Sequence, residues 1–195
     1  TIGNCDGVHR GHQAMLALLR SEARHRGLPT SVLTFEPHPR DHFAALAGKP
    51  ELAPPRIATL RDKLGELERC GIDQAIVMRF DARFASQSPR AFIDDVLIAG
   101  LHARYVLVGD DFRFGARRAG DYAMLDTAGG RGGFDVARMN SYEVHGLRVS
   151  SSAVRDALAS GRMEDAATLL GRAYSISGHV TRGRRLGREI GYPTL

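Results

Sequence analysis

The chain has 195 residues, 43% of them hydrophobic, ordinary for a globular protein with one α/β domain and a fragment of another. A formal charge of +5 and a pI near 9.7 suit anionic small molecules. The arginines are scattered, Trp is absent, and no RNP, zinc-finger or helix-turn-helix signature argues for nucleic acid.

No apolar run approaches the roughly 20 residues of a membrane span. Cys5 and Cys70 form no CxxC pair and read as free thiols of a reducing, cytoplasmic compartment. Because the first residue is Thr1, the true N-terminus is expected upstream, with Thr1-Ile2 as the stump of a strand.

Met15, Leu16 and Leu19 then share a helical face, and Gly27 is placed to end that helix. Ser31 to Phe35 predicts a strand, followed by a long Pro-punctuated loop from Glu36 to Pro55. Leu60, Leu64 and Leu67 repeat at helix period up to Gly71, and Ala75 to Met78 has the composition of a buried strand. Ser88-Pro89 predicts an N-cap and first helical position, opening a helix through Ile98. Tyr105 to Val108 is the next strand, running into a loop from Gly109 to Gly120. Gly129 to Gly133 reads as a turn, Phe134 to Val149 as extended, and Ser150 to Ser160 as a helix. Strand and helix in alternation predict a doubly wound parallel sheet, with ligands outside the carboxyl ends of its strands.

After Gly171 the character changes. Tyr174 to Val180 alternates like a strand, and a basic stretch with Gly183, Gly187 and Gly191 ends at Pro193-Thr194. We place a domain boundary there, giving domains 1–171 and 172–195.

The strongest chemical signal is the segment Gly3-Asn4-Cys5-Asp6-Gly7-Val8-His9-Arg10-Gly11-His12, between the strand stump and the first helix. Gly7 and Gly11 permit a tight turn and a close ligand, and the helix aims its free N–H groups at the same place. His9 and His12, three apart, can donate to phosphoryl oxygens as charge builds, or simply cap and solvate the helix start. A P-loop is excluded because Gly-x4-Gly-Lys-[Ser/Thr] is absent, and a zinc site is poor with only Cys5 nearby.

Gly3 to His12 resembles the ATP loop of the nucleotidylyltransferase superfamily. With Asp6-Gly7-Val8-His9 before Gly11-His12, it looks like that of the bacterial bifunctional riboflavin kinase/FMN adenylyltransferases, or FAD synthetases. That family usually carries an aromatic where this chain has Cys5. Phe35-Glu36-Pro37-His38-Pro39 is similar to its Pro-His-Pro loop, and Val108 to Gly115 to its flavin-side loop. Arg148-Val149-Ser150-Ser151-Ser152-Ala153-Val154-Arg155 resembles the second superfamily signature. Gly178 to Thr194 looks like the opening of the family's riboflavin kinase domain, with Pro193-Thr194 beginning its Pro-Thr-x-Asn motif.

The resemblance implies a Rossmann-like nucleotidylyltransferase domain followed by the truncated start of a β-barrel kinase. It implies transfer of AMP from ATP to FMN, giving FAD and pyrophosphate, with Mg²⁺. His9, His12 and Arg155 would be catalytic; Gly3, Asn4, Gly11, Ser151 and Ser152 would bind ATP; Phe35, His38, Asp111, Phe112 and Phe114 would bind flavin. No metal-ligand cluster stands out, so Mg²⁺ is expected on the phosphates, with Asp6 or Asp111 as helpers. Two rivals stay open: transfer to another phosphate acceptor, such as phosphopantetheine or nicotinamide mononucleotide, and a flavin-binding module without catalysis. Neither nucleic acid nor membrane is an expected partner, and riboflavin kinase activity is not expected from these 195 residues.

Overall fold

The structure, a computed structural model, describes residues 1–144, 146–179, 181 and 189–192. Gly183, Gly187, Pro193 and Thr194 of the kinase-like tail lie outside the described residues.

The strand stump pairs as its composition requires. Leu33 donates to the Thr1 carbonyl at 2.9 Å, and Gly3 donates to that of Leu33 at 3.0 Å. Helix α1 (Arg10–Arg26) follows and ends at Gly27, in the left-handed region at φ 65°. Strand β1 (Ser31–Glu36) leads to α2 (Pro39–Leu46), which lies inside the segment expected to be a loop. Pro39 at the first helical position and His38 as N-cap give that helix its start. A 3-10 turn at Pro50–Leu52 comes next, then α3 (Leu60–Arg69), capped by Thr59.

Strand β2 (Gln74–Arg79) pairs in parallel with β1, from Ser31 opposite Gln74 to Glu36 opposite Arg79. It was expected to be buried. Instead it has one strand partner, and Val77 is exposed. Short α4 (Ala82–Ala85) precedes α5 (Pro89–Ala91), which starts on Ser88 as expected and continues as a π-helical stretch, Phe92–Gly100. Strand β3 (Tyr105–Gly109) pairs in parallel with β4 (Asp135–Met139).

The glycine run between them is not a turn. It belongs to α6 (Tyr122–Gly132). A Cβ on Gly129 would meet the Phe134 carbonyl oxygen at 2.5 Å, and one on Gly132 would meet Ile98 Cδ1 at 2.7 Å. These glycines let the helix end press onto its own following strand and onto the neighbouring helix, a packing demand that outweighs their poor helix propensity. A small antiparallel hairpin, β5 (Glu143–Val144) and β6 (Leu147–Arg148), then leads into α7 (Ser151–Ala159) and α8 (Met163–Leu170).

One core cluster joins both parallel pairs through Ile2, Leu33, Leu97, Val106, Val108 and Leu125. A second lies under α7 and α8, around Ile57, Val154 and Leu169. The molecule is thus a mixed α/β structure with parallel sheets. The strand expected from Tyr174 onward does not form over 174–179, so a barrel start is not seen among the described residues.

Candidate active site

A cavity of about 350 Å³ opens where several elements begin or end together. Its wall takes Asn4 to Asp6 from the segment after the stump, and His9 and His12 from the start of α1. His38 follows β1, Asp110 and Asp111 follow β3, and Asn140 and Ser141 follow β4. The start of α7, with Ser150, Ser151, Ser152 and Arg155, closes it. The rule that ligands sit beyond strand carboxyl ends describes this placement.

The turn into α1 is strained. Cys5, Gly7 and Val8 all have positive φ, at 47°, 78° and 40°. Gly7 is required twice over, because a Cβ there would also meet Ile57 Cγ2 at 2.6 Å. Val8 is β-branched and fully buried, and its conformation costs about 1–3 kcal/mol that the surroundings must offset. Its N–H donates to the Cys5 carbonyl at 3.2 Å, and its carbonyl accepts from Gln13 Nε2 at 2.8 Å.

The chain leaves this turn with His9 as the N-cap of α1. His9 Nδ1 accepts the His12 N–H at 3.3 Å, which places the His9 ring proton on Nε2. The two rings stack with centroids 3.7 Å apart and planes 19° from parallel. Capping and lining the cavity are therefore both true of His9. Burial lowers the His9 pKa to about 4. Burial, then the neighbouring His9, holds His12 well below its ordinary value. Both rings are neutral at pH 7, so they act as hydrogen-bonding groups rather than cations. Gly11 leaves room for this stack, since a Cβ there would stand 3.2 Å from His9 Nδ1.

Asp6 is 2% exposed and its carboxylate is spent. It accepts from the Ile57 and Ala58 N–H groups at 3.2 Å and pairs with Arg155 Nη2. The expectation that Asp6 helps hold Mg²⁺ is therefore corrected: its oxygens hold three protein segments together. Among the described residues no cluster of three His, Cys, Asp or Glu side chains could hold a metal.

Arg155 was expected to reach back toward phosphate. Two of its three nitrogens instead serve the protein, Nη2 on Asp6 and Nε on the Pro55 carbonyl at 2.7 Å. Ser150 caps α7 by accepting from Ala153 N–H at 3.1 Å, and the Ser151 hydroxyl donates to the Asp6 carbonyl at 3.2 Å. Ser152 is exposed on the cavity wall. Gly3 does not line the cavity, because its N–H belongs to the strand pairing.

The flavin-side expectations fare differently. Phe114 is 7% exposed and belongs to the main core, tilted against Phe92 and stacked on Phe112. Phe35 packs on Phe80 and Phe84. None of Phe35, Phe112 and Phe114 lines the cavity. That is a correction. Their rings are engaged elsewhere: Phe35 on Phe80 and Phe84, and Phe112 and Phe114, in the loop after β3, on each other and on the main core. His38 and Asp111 do reach the cavity. His38 is buried, and its Nδ1 caps α2 by accepting from Arg40 N–H at 3.1 Å. Asp110 accepts from the Ser141 hydroxyl at 2.6 Å, which holds its carboxyl below the usual range, while Arg148 stands 3.8 Å away.

Three supports escaped the sequence reading. Lys63, 2% exposed, donates to Thr34 Oγ1 at 3.1 Å and to the Asn4 carbonyl at 3.4 Å, bracing the loop from below. Burial lowers its pKa. It shares a helix face with Leu60 and Leu67, and that intrusion into an apolar stripe was the available signal. Arg56 bridges Glu36 at 3.0 Å and Asp41 at 3.1 Å. Asn140-Ser141 follows a strand end directly, where the strand rule alone could have found it. Cys5 is buried beside these groups, and burial raises its thiol pKa to about 11.

Residues 1–153 match the FAD synthetase family. The chain belongs to that family. Residues 170–195 match a second one, riboflavin kinase. A bifunctional riboflavin kinase/FMN adenylyltransferase of Escherichia coli K12 is 47% identical over 194 residues, covering all of this chain and 60% of the relative. The one from Haemophilus influenzae is 46% identical, covering 61% of its own length. The chain thus spans about three fifths of the curated relatives it matches. A solved structure described as a macrolide-efflux protein from Streptococcus pneumoniae superposes with a TM-score of 0.80. Its identity is 27%, and the match covers 98% of this chain and 61% of that one. Among the described residues of this FAD synthetase-family chain, no helix is long and apolar enough to cross a membrane.

Proposed function

We propose that this chain is an FMN adenylyltransferase, joining the AMP of ATP to FMN to give FAD and pyrophosphate in the cytoplasm. Residues 1–171 would form the transferase, a doubly wound, Rossmann-like nucleotidylyltransferase domain, and residues 172–195 the opening of a riboflavin kinase domain. The observation that carries the reading is the convergence of two helix N-termini, those of α1 and α7, on one cavity beside a neutral His9–His12 stack. Helix N-termini offer unpaired N–H groups and partial positive charge to a polyphosphate.

In the reaction an FMN phosphate oxygen attacks the α-phosphorus of ATP, and the bond from that phosphorus to the bridging oxygen breaks as pyrophosphate leaves. FMN brings its own nucleophile, so no covalent enzyme intermediate is needed. His9 Nε2–H and the His12 ring would donate to the α-phosphoryl oxygens as charge accumulates there. Gly11 keeps the backbone close, and the Asn4 segment would border the nucleotide. Arg155, with Ser151 and Ser152, would hold the β- and γ-phosphates, and so must exchange some of its present contacts for the ligand. His38 and Asp111 would border the flavin, and Phe112 would back it.

The protein carboxylates do not fit a dedicated magnesium site, because Asp6 is committed and Asp110 is held by Ser141. Mg²⁺ would arrive on the triphosphate, with exposed Asp111 at the rim.

The test mixes the chain with ATP and each of FMN, phosphopantetheine and nicotinamide mononucleotide, following pyrophosphate and the joined product by chromatography. FAD and pyrophosphate in equal amounts are expected with FMN alone. Pyrophosphate released with another acceptor instead would move the reading there, and no transfer to any acceptor would reject it.

A further inference from the structure

Arg172 lies outside the residues that match the FAD synthetase family and within those that match riboflavin kinase. Its guanidinium nevertheless grips the turn that presents His9. Nη2 donates to the Gly7 carbonyl at 2.8 Å, and Nη1 to the Val8 carbonyl at 3.4 Å and to its own neighbour Leu170 at 3.3 Å. Nε faces Glu66 Oε1 of α3 at 3.2 Å, so the side chain is anchored from behind. Gln13 completes the clasp, with Nε2 at 2.8 Å from both the Val8 and Leu170 carbonyls. Gly171, at φ 75°, permits the approach, since a Cβ there would meet Gln13 Oε1 at 3.1 Å.

The held carbonyls are those of the strained turn. Gly7 and Val8 have positive φ, and strain of this kind persists only where neighbours over-determine it. Without donors on its carbonyl, Val8 would be free to relax toward the extended region that β-branched residues prefer. The next residue is His9, whose ring both caps α1 and stacks on His12. A small rotation at Val8 therefore displaces the imidazole at the cavity.

We propose that Arg172 is a positioning residue for the His9–His12 loop, supplied by the kinase-matching segment, so that nucleotide handling in the first domain depends on how residues 170–172 are seated. This rests on the reading of that loop as the ATP site. Arg172 touches no substrate; it acts through the backbone that carries His9.

The experiment uses the whole 195-residue chain with Arg172→Met, which keeps the apolar stem and removes every donor. Calorimetric titration with α,β-methylene-ATP and separately with FMN is paired with steady-state FAD formation and a thermal melt. The expected result is a roughly fivefold loss of analogue affinity and a roughly tenfold fall in kcat, with FMN affinity within about twofold of the unmutated chain. Glu66→Gln, which leaves the loop contacts and loosens the anchor, should show the same ATP-selective loss at smaller size. Arg172→Met combined with Gln13→Leu should cost less than the two separate losses together, since both grip the Val8 carbonyl. Unchanged analogue affinity in Arg172→Met overturns the proposal. So do parallel losses for both ligands that follow the melting temperature, in either variant. If the unmutated chain makes no FAD, the functional reading fails by itself, and the analogue titrations still decide the clasp.

Discussion

The two ends of the cavity are built on opposite plans. At the end with His9 and Asp6 most of these polar groups are already engaged: His9 caps α1, Asp6 ties down Ile57, Ala58 and Arg155, and Lys63 braces Asn4. At the end with Asp110 and Asp111 the cavity meets polar side chains near the surface, Arg148 among them, while Phe112 and Phe114 pack on each other and on the core. The first plan suits charge that develops in one place and moves little. Preorganised dipoles stabilise it without rearranging during the reaction. The second leaves polar side chains open to solvent, free to shift toward whatever enters.

The sharpest way to break this comparison is His12→Ala. We expect transfer to fall by about 10²–10³, the usual cost of one donor at a developing oxyanion, with FMN binding largely intact. Pyrophosphate release and quenching of FMN fluorescence, measured side by side, check it. Near-normal turnover would remove His12 from the chemistry.

The phenylalanines divide by burial. Phe114→Ala should destabilise the fold by about 3 kcal/mol or more through a core cavity, seen as a lower denaturation midpoint, with no ligand selectivity. Phe112→Ala, only partly buried, should cost less stability and weaken FMN more than ATP by about tenfold. Calorimetry with each ligand separates the two. Equal losses for both ligands in Phe112→Ala would place that ring wholly in the core.

The smallest effect is set by pH. His9 titrates near 6.5 when unfolded and near 4 when folded, because burial disfavours its charge. As pH falls below 6.5 the unfolded chain takes up the proton first, so stability is full above that value and drains toward 4. At about pH 5.5 the loss should be roughly 1 kcal/mol, and His9→Gln should flatten that part of the stability profile.

The residues show why one end was legible and the other was not. Gly7, Gly11 and the His-x-Gly-His spacing write backbone geometry into adjacent positions, so a local reading finds the turn and the helix start. Whether Phe112 or Phe114 is drawn into the core depends on packing against Phe92, about twenty residues earlier in the chain, and nothing in the neighbouring residues carries that. The same gap hid α2 behind its prolines and turned Gly129–Gly133 into an expected turn, because close packing of α6 is a tertiary demand. Asp6 stood in the motif but was read as a metal helper. Its partners Ile57, Ala58 and Arg155 lie far along the chain, beyond any local pattern.

The burial of Cys5 has a consequence of another kind. Peroxide attacks the thiolate, and the first product is a sulfenic acid. With its pKa raised to about 11 and 4% of its surface exposed, Cys5 stays a protonated, sheltered thiol at neutral pH. Sulfur can therefore sit inside the His-x-Gly-His loop without making that loop a peroxide sensor.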